Sequence, residues 1–426
     1  MRIEFNWDRE RGRLARKKTF KTKASEPPAL QTGNHMSTHY DITIIGAGMV
    51  GLACANMLAN SNLKIAVIDQ KLPIINLDEN ATPDLRVSAI TLGSKNILEQ
   101  THAWQLIPAK KISPFKKMQV WDAIGGSNIN FCSSELIEQQ LGYIVENNIL
   151  QSALYTVALN NDNITFIAPT ELTAIEVQDA KVILNLKDKQ VTTKLLIGAD
   201  GGKSKVRELS KIAIKQNDYG HSALVCHVKT ELPHQQTARQ VFLEQGPLAF
   251  LPLTDPHWCS MVWSAQPEVI KELLSLDVDQ FKQRLNAAFK VLGEITEVSE
   301  RAAFPLRMQH VKNYVLPRIA LIGDAAHTIH PLAGQGVNLG FADAKLLAET
   351  ILTAHAKNKD IGALAVLRPY ERERKTENTK MLAFVEIIKK IFSQQNSVLR
   401  TVANIGFGIT NKLSPLKQFF IRQAVK

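Results

Sequence analysis

Short apolar runs rich in β-branched residues alternate with segments of helical periodicity along most of the chain. Residues 40–45 form one such run, good helix formers follow at 52–59, and a second run spans 64–69. This order predicts a buried strand, a helix and a parallel neighbouring strand. Two more strands are predicted at 194–200 and 318–322, and a helix at 339–347. We therefore predict an α/β fold built around a parallel sheet.

The segments between these elements differ, because apolar and polar positions alternate in them. Residues 223–228 and 259–263 predict strands, and 112–135 adds further strands that include 118–121. Since pieces of the parallel sheet lie on both sides of these segments, the segments must be inserted from the same chain. The prediction is a Rossmann-like domain that is interrupted by a mixed-sheet (α+β) domain and followed by C-terminal helices.

A glycine-rich turn joins the first predicted strand to its helix. Gly46 would allow a tight turn, Gly48 the close approach of a pyrophosphate, and Gly51 close packing of helix on strand. Free N–H groups at the start of such a helix attract phosphate. Asp69 ends the next strand, about 20 residues further on, where a carboxylate accepts hydrogen bonds from ribose hydroxyls. This unit predicts a dinucleotide site, and a glycine-rich turn without a ligand is the alternative.

Two further motifs, GADG at 198–201 and GDAAH at 323–327, favour FAD over NAD as that dinucleotide. Asp200 fits the boundary between the flavin and its reductant, and Asp324 offers an acid to the sugar-alcohol chain that joins flavin to phosphate. A helix starting near Gly336 would direct its positive end at the pyrimidine edge of the flavin, where the reduced ring carries negative charge. Together the three motifs outline one bound FAD.

The third motif extends from 323 to 340 with the sequence GDAAHTIHPLAGQGVNLG. With the two earlier motifs, it resembles the class A flavoprotein aromatic hydroxylases related to para-hydroxybenzoate hydroxylase, and within them the ubiquinone-biosynthesis hydroxylases. The resemblance runs from about Tyr40 to the C-terminus. Further stretches are most similar to the 2-octaprenylphenol hydroxylase type: LRVSAI at 85–90, QVF at 240–242, LAFLPL at 248–253, DPH at 255–257 and KDIG at 359–362.

The resemblance implies a monooxygenase that hydroxylates the aromatic ring of a polyprenylated phenol in ubiquinone biosynthesis. NADPH or NADH would reduce FAD, dioxygen would add to the reduced ring to form a hydroperoxyflavin, and its distal oxygen would be delivered to the phenol. A sister hydroxylase for another ring position is the nearest competing interpretation. A non-catalytic flavoprotein scaffold and a flavin-dependent dehydrogenase or oxidase would also use the FAD motifs, although the motif at 198–207 disfavours the dehydrogenase or oxidase.

The resemblance also assigns roles to individual residues. Arg86 would approach the flavin side of the active site and Pro331 would lie in the loop beside the flavin ring, so both are candidate catalytic residues. The implied cofactor-binding residues are Gly46, Gly48, Gly51, Asp69, Arg86, Asn147, Asp200, Asp324, Pro331, Gly334, Gln335, Gly336, Val337 and Asn338. The chain departs from the family pattern at Asp69, where many relatives carry Glu, at Asn147, where they often carry Arg or Gln, and at Gln309, where they place Arg.

Histidines supply two further hypotheses. A base that removes the phenol proton would help the reaction, and His227, His221 and Tyr219 are candidates, with an ordinary structural role as the alternative. The spacing of His327 and His330 invites a metal, but two histidines without a third ligand favour hydrogen bonding and packing. We expect no metal site.

The interleaved motifs predict the domain organisation. The predicted segments are a disordered basic extension at 1–38, FAD-binding parts at 39–111, 142–215 and 304–370, substrate-domain segments at 112–141 and 216–303, and a C-terminal helical region at 371–426. We expect the sheet of the substrate domain to cover the flavin.

Composition and charge narrow the class of protein. With 426 residues, 45% of them hydrophobic, the chain can bury a large core, and it has no apolar run of about 18 residues that would predict a transmembrane helix. Four scattered cysteines favour reduced thiols in the cytoplasm. The net charge is +11, and residues 1–38 contain nine Lys and Arg against four acids. This segment lacks interleaved aromatics, so we expect no nucleic-acid partner; initiation at Met36 is a further hypothesis.

The C-terminal region has a basic amphipathic pattern. Between 381 and 392 apolar residues alternate with Glu386, Lys389 and Lys390, and the tail from 411 carries four cations and no acid. Such a helix lies on an anionic membrane surface in one interpretation and packs on the FAD domain in the other. Because polyprenylated substrates reside in bilayers, we favour a cytoplasmic protein that contacts the inner membrane or a ubiquinone-biosynthesis complex through this region.

Overall fold

The computed structural model describes residues 38–123, 128–135, 139–328 and 336–393. The strands within these residues are, in chain order, β1 (His39–Ile45), β2 (Ile65–Ile68), β3 (Val87–Thr91), β4 (Ile112–Phe115), β5 (Lys117–Asp122), β6 (Asn128–Cys132), β7 (Gly142–Glu146), β8 (Ile164–Ile167), β9 (Leu172–Val177), β10 (Val182–Leu186), β11 (Gln190–Gly198), β12 (Ile214–Thr230), β13 (Thr237–Leu243), β14 (Gly246–Pro252), β15 (Trp258–Ala265), β16 (Ile295–Val298), β17 (Ala302–Val311), β18 (Val315–Leu316), β19 (Ile319–Leu321) and β20 (His327–Thr328). The helices are α1 (Met49–Leu58), α2 (Leu92–Gln100), α3 (Asn147–Leu159), α4 (Lys205–Leu209), α5 (Pro267–Ser275), α6 (Val278–Ala288), α7 (Gly336–Ala356) and α8 (Leu364–Ser393).

The first sheet has a parallel centre in which β8, β2, β1, β11 and β19 are neighbours in that order. The four strands predicted from apolar runs are β1, β2, β11 and β19, so the prediction of a parallel α/β sheet is confirmed. Parallel neighbours need crossover connections, and β11 and β19 reach the sheet only after long excursions of the chain. The sheet therefore brings together the carboxyl ends of strands that are far apart in sequence.

Helices cover this sheet and complete its core. Ile44 of β1, Leu52 of α1 and Phe341 of α7 are fully buried in one apolar cluster. Strands buried on both faces need apolar residues at consecutive positions, which explains why β2 is buried at every residue. The runs of consecutive apolar residues in the sequence are thus explained by the burial of both faces of this sheet.

The second sheet has nine strands and includes β20, β17, β12, β15, β14, β13, β5 and β6 in that order, with β16 beside β12. Its pairs are antiparallel except for β13 and β5, which are parallel, so the sheet is mixed as predicted. Helices α5 and α6 pack on one face, where Leu224, Met261 and Phe281 belong to a separate core. The opposite face of this sheet is not covered by α5 and α6 and is directed toward the rest of the molecule.

A small third sheet, β3–β7–β4, joins the two larger ones. Ala89 of β3 and Ile144 of β7 share a buried cluster with Leu251 of β14. The strands predicted within 112–135 are therefore divided, since β4 pairs in this sheet while β5 and β6 pair in the second. This contact fixes the orientation of the second sheet toward the FAD-binding motifs.

Helix α8 forms the described part of the C-terminal region and ends at Ser393. Tyr370 of this helix is fully buried, and its hydroxyl donates to the Leu321 carbonyl at 2.7 Å. Among the described residues, no helix has both the length and the apolar character needed to cross a membrane. The predicted basic tail from 411 lies outside the described residues.

Candidate active site

The first glycine motif forms a tight turn between β1 and α1. Gly46 has a φ of +113°, and a Cβ there would lie 2.4 Å from the Ala199 carbonyl oxygen. A Cβ on Gly51 would lie 2.1 Å from the Gly46 carbonyl oxygen, whereas a Cβ on Gly48 would have no atom of the described residues within 4 Å. Gly46 and Gly51 are therefore required by packing. Gly48 faces open space at the start of α1, where no side chain caps the helix and no acid lies in its first turn.

Asp69 lies immediately after β2, beside the glycine turn. Its Oδ2 accepts a hydrogen bond from the Ala47 N–H at 2.6 Å, and its Oδ1 accepts one from the Lys71 N–H at 3.1 Å. A carboxylate has about four lone-pair sites, so these two bonds hold the side chain in place and leave acceptor capacity. The position suits the predicted contact with ribose hydroxyls.

The three motifs meet around the start of α1. A Cβ on Gly323 would lie 3.2 Å from Val50 Cγ1, and a Cβ on Gly340 would lie 2.5 Å from Val50 Cγ2. The second motif reaches the same turn, because Ala199 packs against Gly46 and Gly51. Motifs separated by more than a hundred residues therefore form one contiguous surface around the turn.

Asp200 fixes the turn after β11. Its Oδ2 accepts from the N–H groups of Lys205 at 2.6 Å and Val206 at 3.1 Å, which places the carboxylate at the start of α4. Its buried Oδ1 has no hydrogen-bond partner among the described residues. Arg207 joins this motif to the third one by donating to the Ala325 carbonyl at 3.0 Å. The backbone bonds explain a structural role for Asp200, and its predicted cofactor contact stays a prediction.

Asp324 lies in the short helical turn 323–325 that follows β19. Its side chain is exposed to solvent although protein surrounds it on most sides. This environment raises the pKa of the Asp324 carboxyl, mainly by desolvation, while the nearby His327 and Arg86 act to lower it. Arg86 lies with its guanidinium carbon 5.8 Å from the centre of the Phe304 ring. Asp324 and the exposed Arg86 thus approach each other beside the second sheet.

The two predicted asparagines hold strand β3. Asn147 Oδ1 accepts from the Ser88 hydroxyl at 2.6 Å. Asn338 is buried, its Oδ1 accepts from the Thr91 N–H at 3.0 Å, and its Nδ2 donates to the Ala89 carbonyl at 2.8 Å. Both side chains therefore fix the framework next to Arg86, and direct cofactor contacts by them stay predictions.

The remaining predicted residues of the third motif lie at the start of α7 or before it. Gly336 is the first residue of that helix and Val337 the second. Among the described residues, no atom would lie within 4 Å of a Cβ on Gly336. Pro331, Gly334 and Gln335 lie outside the described residues, as does His330.

A buried polar network beneath the third motif was missed by sequence reasoning. Asp343 of α7 has no exposed surface and accepts hydrogen bonds from the Gly323 N–H at 3.0 Å, His327 Nε2 at 2.5 Å and Arg374 Nε at 2.6 Å. Burial alone would raise the pKa of Asp343, but His327 and Arg374 bring it below its ordinary value.

Asn378 Nδ2 donates to the Tyr314 hydroxyl at 3.1 Å and to Asp343 Oδ1 at 3.3 Å. The network fixes the turn that carries Asp324. The sequence contained one signal of this network, because Asp343 is a charged residue within the apolar stripe of a predicted helix.

The three candidate bases have different positions. His227 is 4% exposed and lies on β12, and burial is the main cause that lowers its pKa. His221 lies on the same strand, and the Tyr219 side chain lies outside the described part of the chain. His327, the described member of the suggested metal pair, is bound to Asp343 and stacks near Tyr314.

These residues fit FAD. The uncapped start of α1 can hold the pyrophosphate, Asp69 the ribose, and the exposed carboxylate of Asp324 the sugar-alcohol chain. The N-terminus of α7, which begins at Gly336, would supply a positive dipole to the flavin ring. The open space in front of Gly48 and the exposed Asp324 are the features that a bound dinucleotide would use.

Comparisons with known proteins bear on the family and the fold. The family model for the FAD binding domain matches residues 39–385. The 3-demethoxyubiquinol 3-hydroxylase of Escherichia coli is 34% identical over 91% of this chain and 97% of its own length. The mitochondrial ubiquinone biosynthesis monooxygenase COQ6 of Xenopus tropicalis is also 34% identical, over 91% of this chain and 93% of its own length.

A solved structure shares the fold. The p-nitrophenol 4-monooxygenase PnpA of Pseudomonas putida superposes with a TM-score of 0.73 at 16% identity, covering 91% of this chain and 98% of PnpA. The predicted fold class, FAD as cofactor and the predicted family are therefore confirmed. The chain belongs to the FAD-dependent aromatic monooxygenases of the ubiquinone-biosynthesis hydroxylase family.

Proposed function

We propose that this enzyme hydroxylates the aromatic ring of a polyprenylated phenol. The observation that carries the proposal is the face of the second sheet that turns away from α5 and α6. Side chains alternate between faces along a strand, and Leu224, Cys226, Phe250 and Met261 point to the helices. The opposite positions include the small or apolar residues Ala223, Val225, Ala249, Leu251 and Val262.

This apolar face lies next to Arg86, one of the residues predicted to bind the cofactor. Phe304 pairs with Ala223 across β12 and β17, and Arg86 lies over the Phe304 ring. Leu251 packs with Ala89 in the third sheet. An apolar wall beside a cofactor suits a hydrophobic aromatic substrate, because burial of apolar surface stabilises the complex by about 25 cal/mol per Å².

The chain contributes binding and positioning to the reaction, and the cofactor carries the redox chemistry. FAD, when bound and reduced by NADPH or NADH, supplies the activation of dioxygen. The Asp343 network holds the turn that carries Asp324, and Asn338 holds β3 beside Arg86. The apolar face excludes water from the ring that is to be hydroxylated.

Isotope labelling tests the reaction. Purified holoenzyme with NADPH or NADH, ¹⁸O₂ and a 2-polyprenylphenol should yield a ring-hydroxylated product that contains one ¹⁸O atom. Oxidation of the substrate without incorporation of ¹⁸O would instead support a dehydrogenase or oxidase. A scaffold role predicts that Asp324→Ala, at equal protein level, leaves quinone production unchanged.

The ring position is the finer part of the proposal. The stretches at 85–90 and 248–253 favour the 2-octaprenylphenol hydroxylase type over a sister enzyme. Deletion of the gene should then cause accumulation of a polyprenylphenol that lacks the first added hydroxyl, identified by mass spectrometry. Accumulation of a precursor that already carries that hydroxyl would assign the enzyme to another ring position.

We also propose that the C-terminal region contacts a membrane surface or a complex of biosynthetic enzymes. Arg368, Arg372 and Lys375 follow one side of α8 and line a shallow surface cleft with Glu371. Cations at this spacing attract anionic lipid headgroups. Flotation with anionic liposomes should recover the full-length protein and lose the full-length double variant Arg368→Gln, Arg372→Gln, which removes two exposed cations of this surface. Equal flotation of both would contradict a membrane contact through this region.

A further inference from the structure

His227 and Ser260 occupy directly opposite positions on the second sheet. They pair across the antiparallel strands β12 and β15. Their neighbours Cys226 and Cys259 belong to the core against α5 and α6. Because side chains alternate along a strand, His227 and Ser260 project from the other face, which is the apolar face beside the cofactor residues.

Both side chains carry a polar atom that lacks a partner. His227 is 4% exposed and Ser260 is 1% exposed. His227 Nε2 and the Ser260 hydroxyl have no hydrogen-bond partner among the described residues. A buried polar group left unpaired costs about 1–3 kcal/mol, so two on paired positions point to a ligand that completes them. Opposite Cβ atoms in such a pair are about 5 Å apart, and one ligand oxygen can bond to both side chains.

The charges around His227 define the ligand's chemistry. Lys111 and Asp84 are the charged groups that act on it, in addition to burial. Lys111 is itself bound to Glu146 at 3.1 Å and to the Ala81 carbonyl at 2.7 Å. Burial, assisted by Lys111, lowers the pKa of His227 and outweighs the opposite effect of Asp84. The imidazole is therefore neutral at neutral pH, offers one donor and one acceptor, and suits an uncharged hydroxyl.

We propose that His227 and Ser260 bind the hydroxyl oxygen of the substrate's aromatic ring. The proposal rests on the proposed function, because it specifies how a phenol is held on the apolar face. Val225 and Val262, two positions from His227 and Ser260 on the same strands and face, contact the ring carbons. The pair then selects a phenol over the corresponding hydrocarbon and fixes which ring edge faces the cofactor.

Binding of two matched probes tests this assignment. Holoenzyme is titrated with 2-geranylphenol and with geranylbenzene, which lacks the hydroxyl, and the change in flavin absorbance gives each Kd. His227→Leu and Ser260→Ala should each weaken binding of 2-geranylphenol about three- to tenfold and leave the Kd of geranylbenzene unchanged. His227→Gln, which keeps a hydrogen-bonding group, should restore most of the affinity for the phenol.

The control is Ser210→Ala, which removes another buried hydroxyl without a partner at the end of α4. It should change neither Kd. Equal losses for both probes, or no loss for either, in variants with wild-type FAD content would overturn the assignment. A wild-type enzyme that binds both probes with the same Kd would overturn it too. Failure of the wild type to hydroxylate any prenylated phenol would instead refute the proposed function.

Discussion

Asp343 and Arg374 form a buried ion pair that ties helix α8 to helix α7, with Arg374 Nε 2.6 Å from Asp343 Oδ1. The other carboxylate oxygen accepts from the Gly323 N–H at 3.0 Å, directly before Asp324. The ion pair therefore supports the turn that carries Asp324, although both of its members are buried.

Arg374→Met should destabilise the protein and weaken FAD binding. Removing one member of a buried ion pair leaves an uncompensated charge and costs about 3–5 kcal/mol. Urea unfolding and FAD titration measure the two effects. Arg372→Met, which removes an exposed cation two residues away, is the control and should change neither quantity. Equal behaviour of the two variants would contradict a supporting role for the pair.

Gly340→Ala should destabilise the contact between α1 and α7. The added Cβ would lie 2.5 Å from Val50 Cγ2, and overpacking of this kind costs about 1–3 kcal/mol. Val50→Ala removes the obstructing methyl groups, so the double variant should be more stable than Gly340→Ala alone. Thermal unfolding of the three variants checks this. A double variant that is less stable than Gly340→Ala would show that the clash is not the cause.

Gly48→Ala should affect the cofactor more than the fold. A Cβ there meets no protein atom within 4 Å, but it would stand where a pyrophosphate approaches the helix. We expect FAD affinity to fall at least about tenfold, or about 1.4 kcal/mol, with little change in urea unfolding without added FAD. Gly51→Ala is the contrasting variant, because its Cβ would lie 2.1 Å from a carbonyl oxygen and should destabilise the protein itself.

Asp324→Asn should separate cofactor binding from stability. Because desolvation raises the pKa of Asp324, the ionised carboxylate is disfavoured in the folded protein without cofactor. The amide should therefore leave the free energy of unfolding without FAD unchanged or raise it at pH 7, while FAD affinity falls about tenfold. Loss of stability in proportion to FAD affinity would indicate that the carboxylate serves the fold instead.

His310 should make stability depend on pH. Burial, followed by the effects of His327 and Lys375, lowers the pKa of His310 from 6.5 to about 4. Between these values the unfolded chain binds a proton at His310 that the folded chain does not. The free energy of unfolding therefore falls as the pH drops through this window. Urea unfolding of FAD-saturated protein at pH 5 and 7.5 should show a smaller decrease in His310→Gln than in the wild type. Identical decreases would exclude His310 as the source.

The fold was largely predictable because its core leaves a clear pattern. Strands β1, β2 and β11 are buried on both faces, so their apolar runs stand out in the sequence. Pairing partners were less accessible to prediction, since β4 and β5 are separated only by Lys116 yet join different sheets. Which sheet a strand joins depends on contacts with distant segments, and no local pattern records them.

The site was predictable where backbone geometry demands particular residues. Gly46 and Gly51 are required by close approaches of the main chain, and such positions leave a recognisable spacing. The Asp343 network was missed because its partners come from separate elements. The stretch at 359–362, which carried part of the subgroup resemblance, contains Asp360, whose Oδ2 lies 2.5 Å from Arg318 Nη2 next to β19. That ion pair anchors the chain between α7 and α8.

The support of the Asp324 turn by Arg374 has a consequence for biosynthesis of the enzyme. A nascent chain that has emerged only as far as α7 contains all three cofactor motifs, yet Asp343 still lacks its partner from α8. If the Arg374 contact strengthens FAD binding as predicted, we expect stable capture of FAD to wait until Arg374 has left the ribosome and docked. Cofactor loading would thus mark a chain that is nearly complete, and prematurely terminated products would remain without flavin.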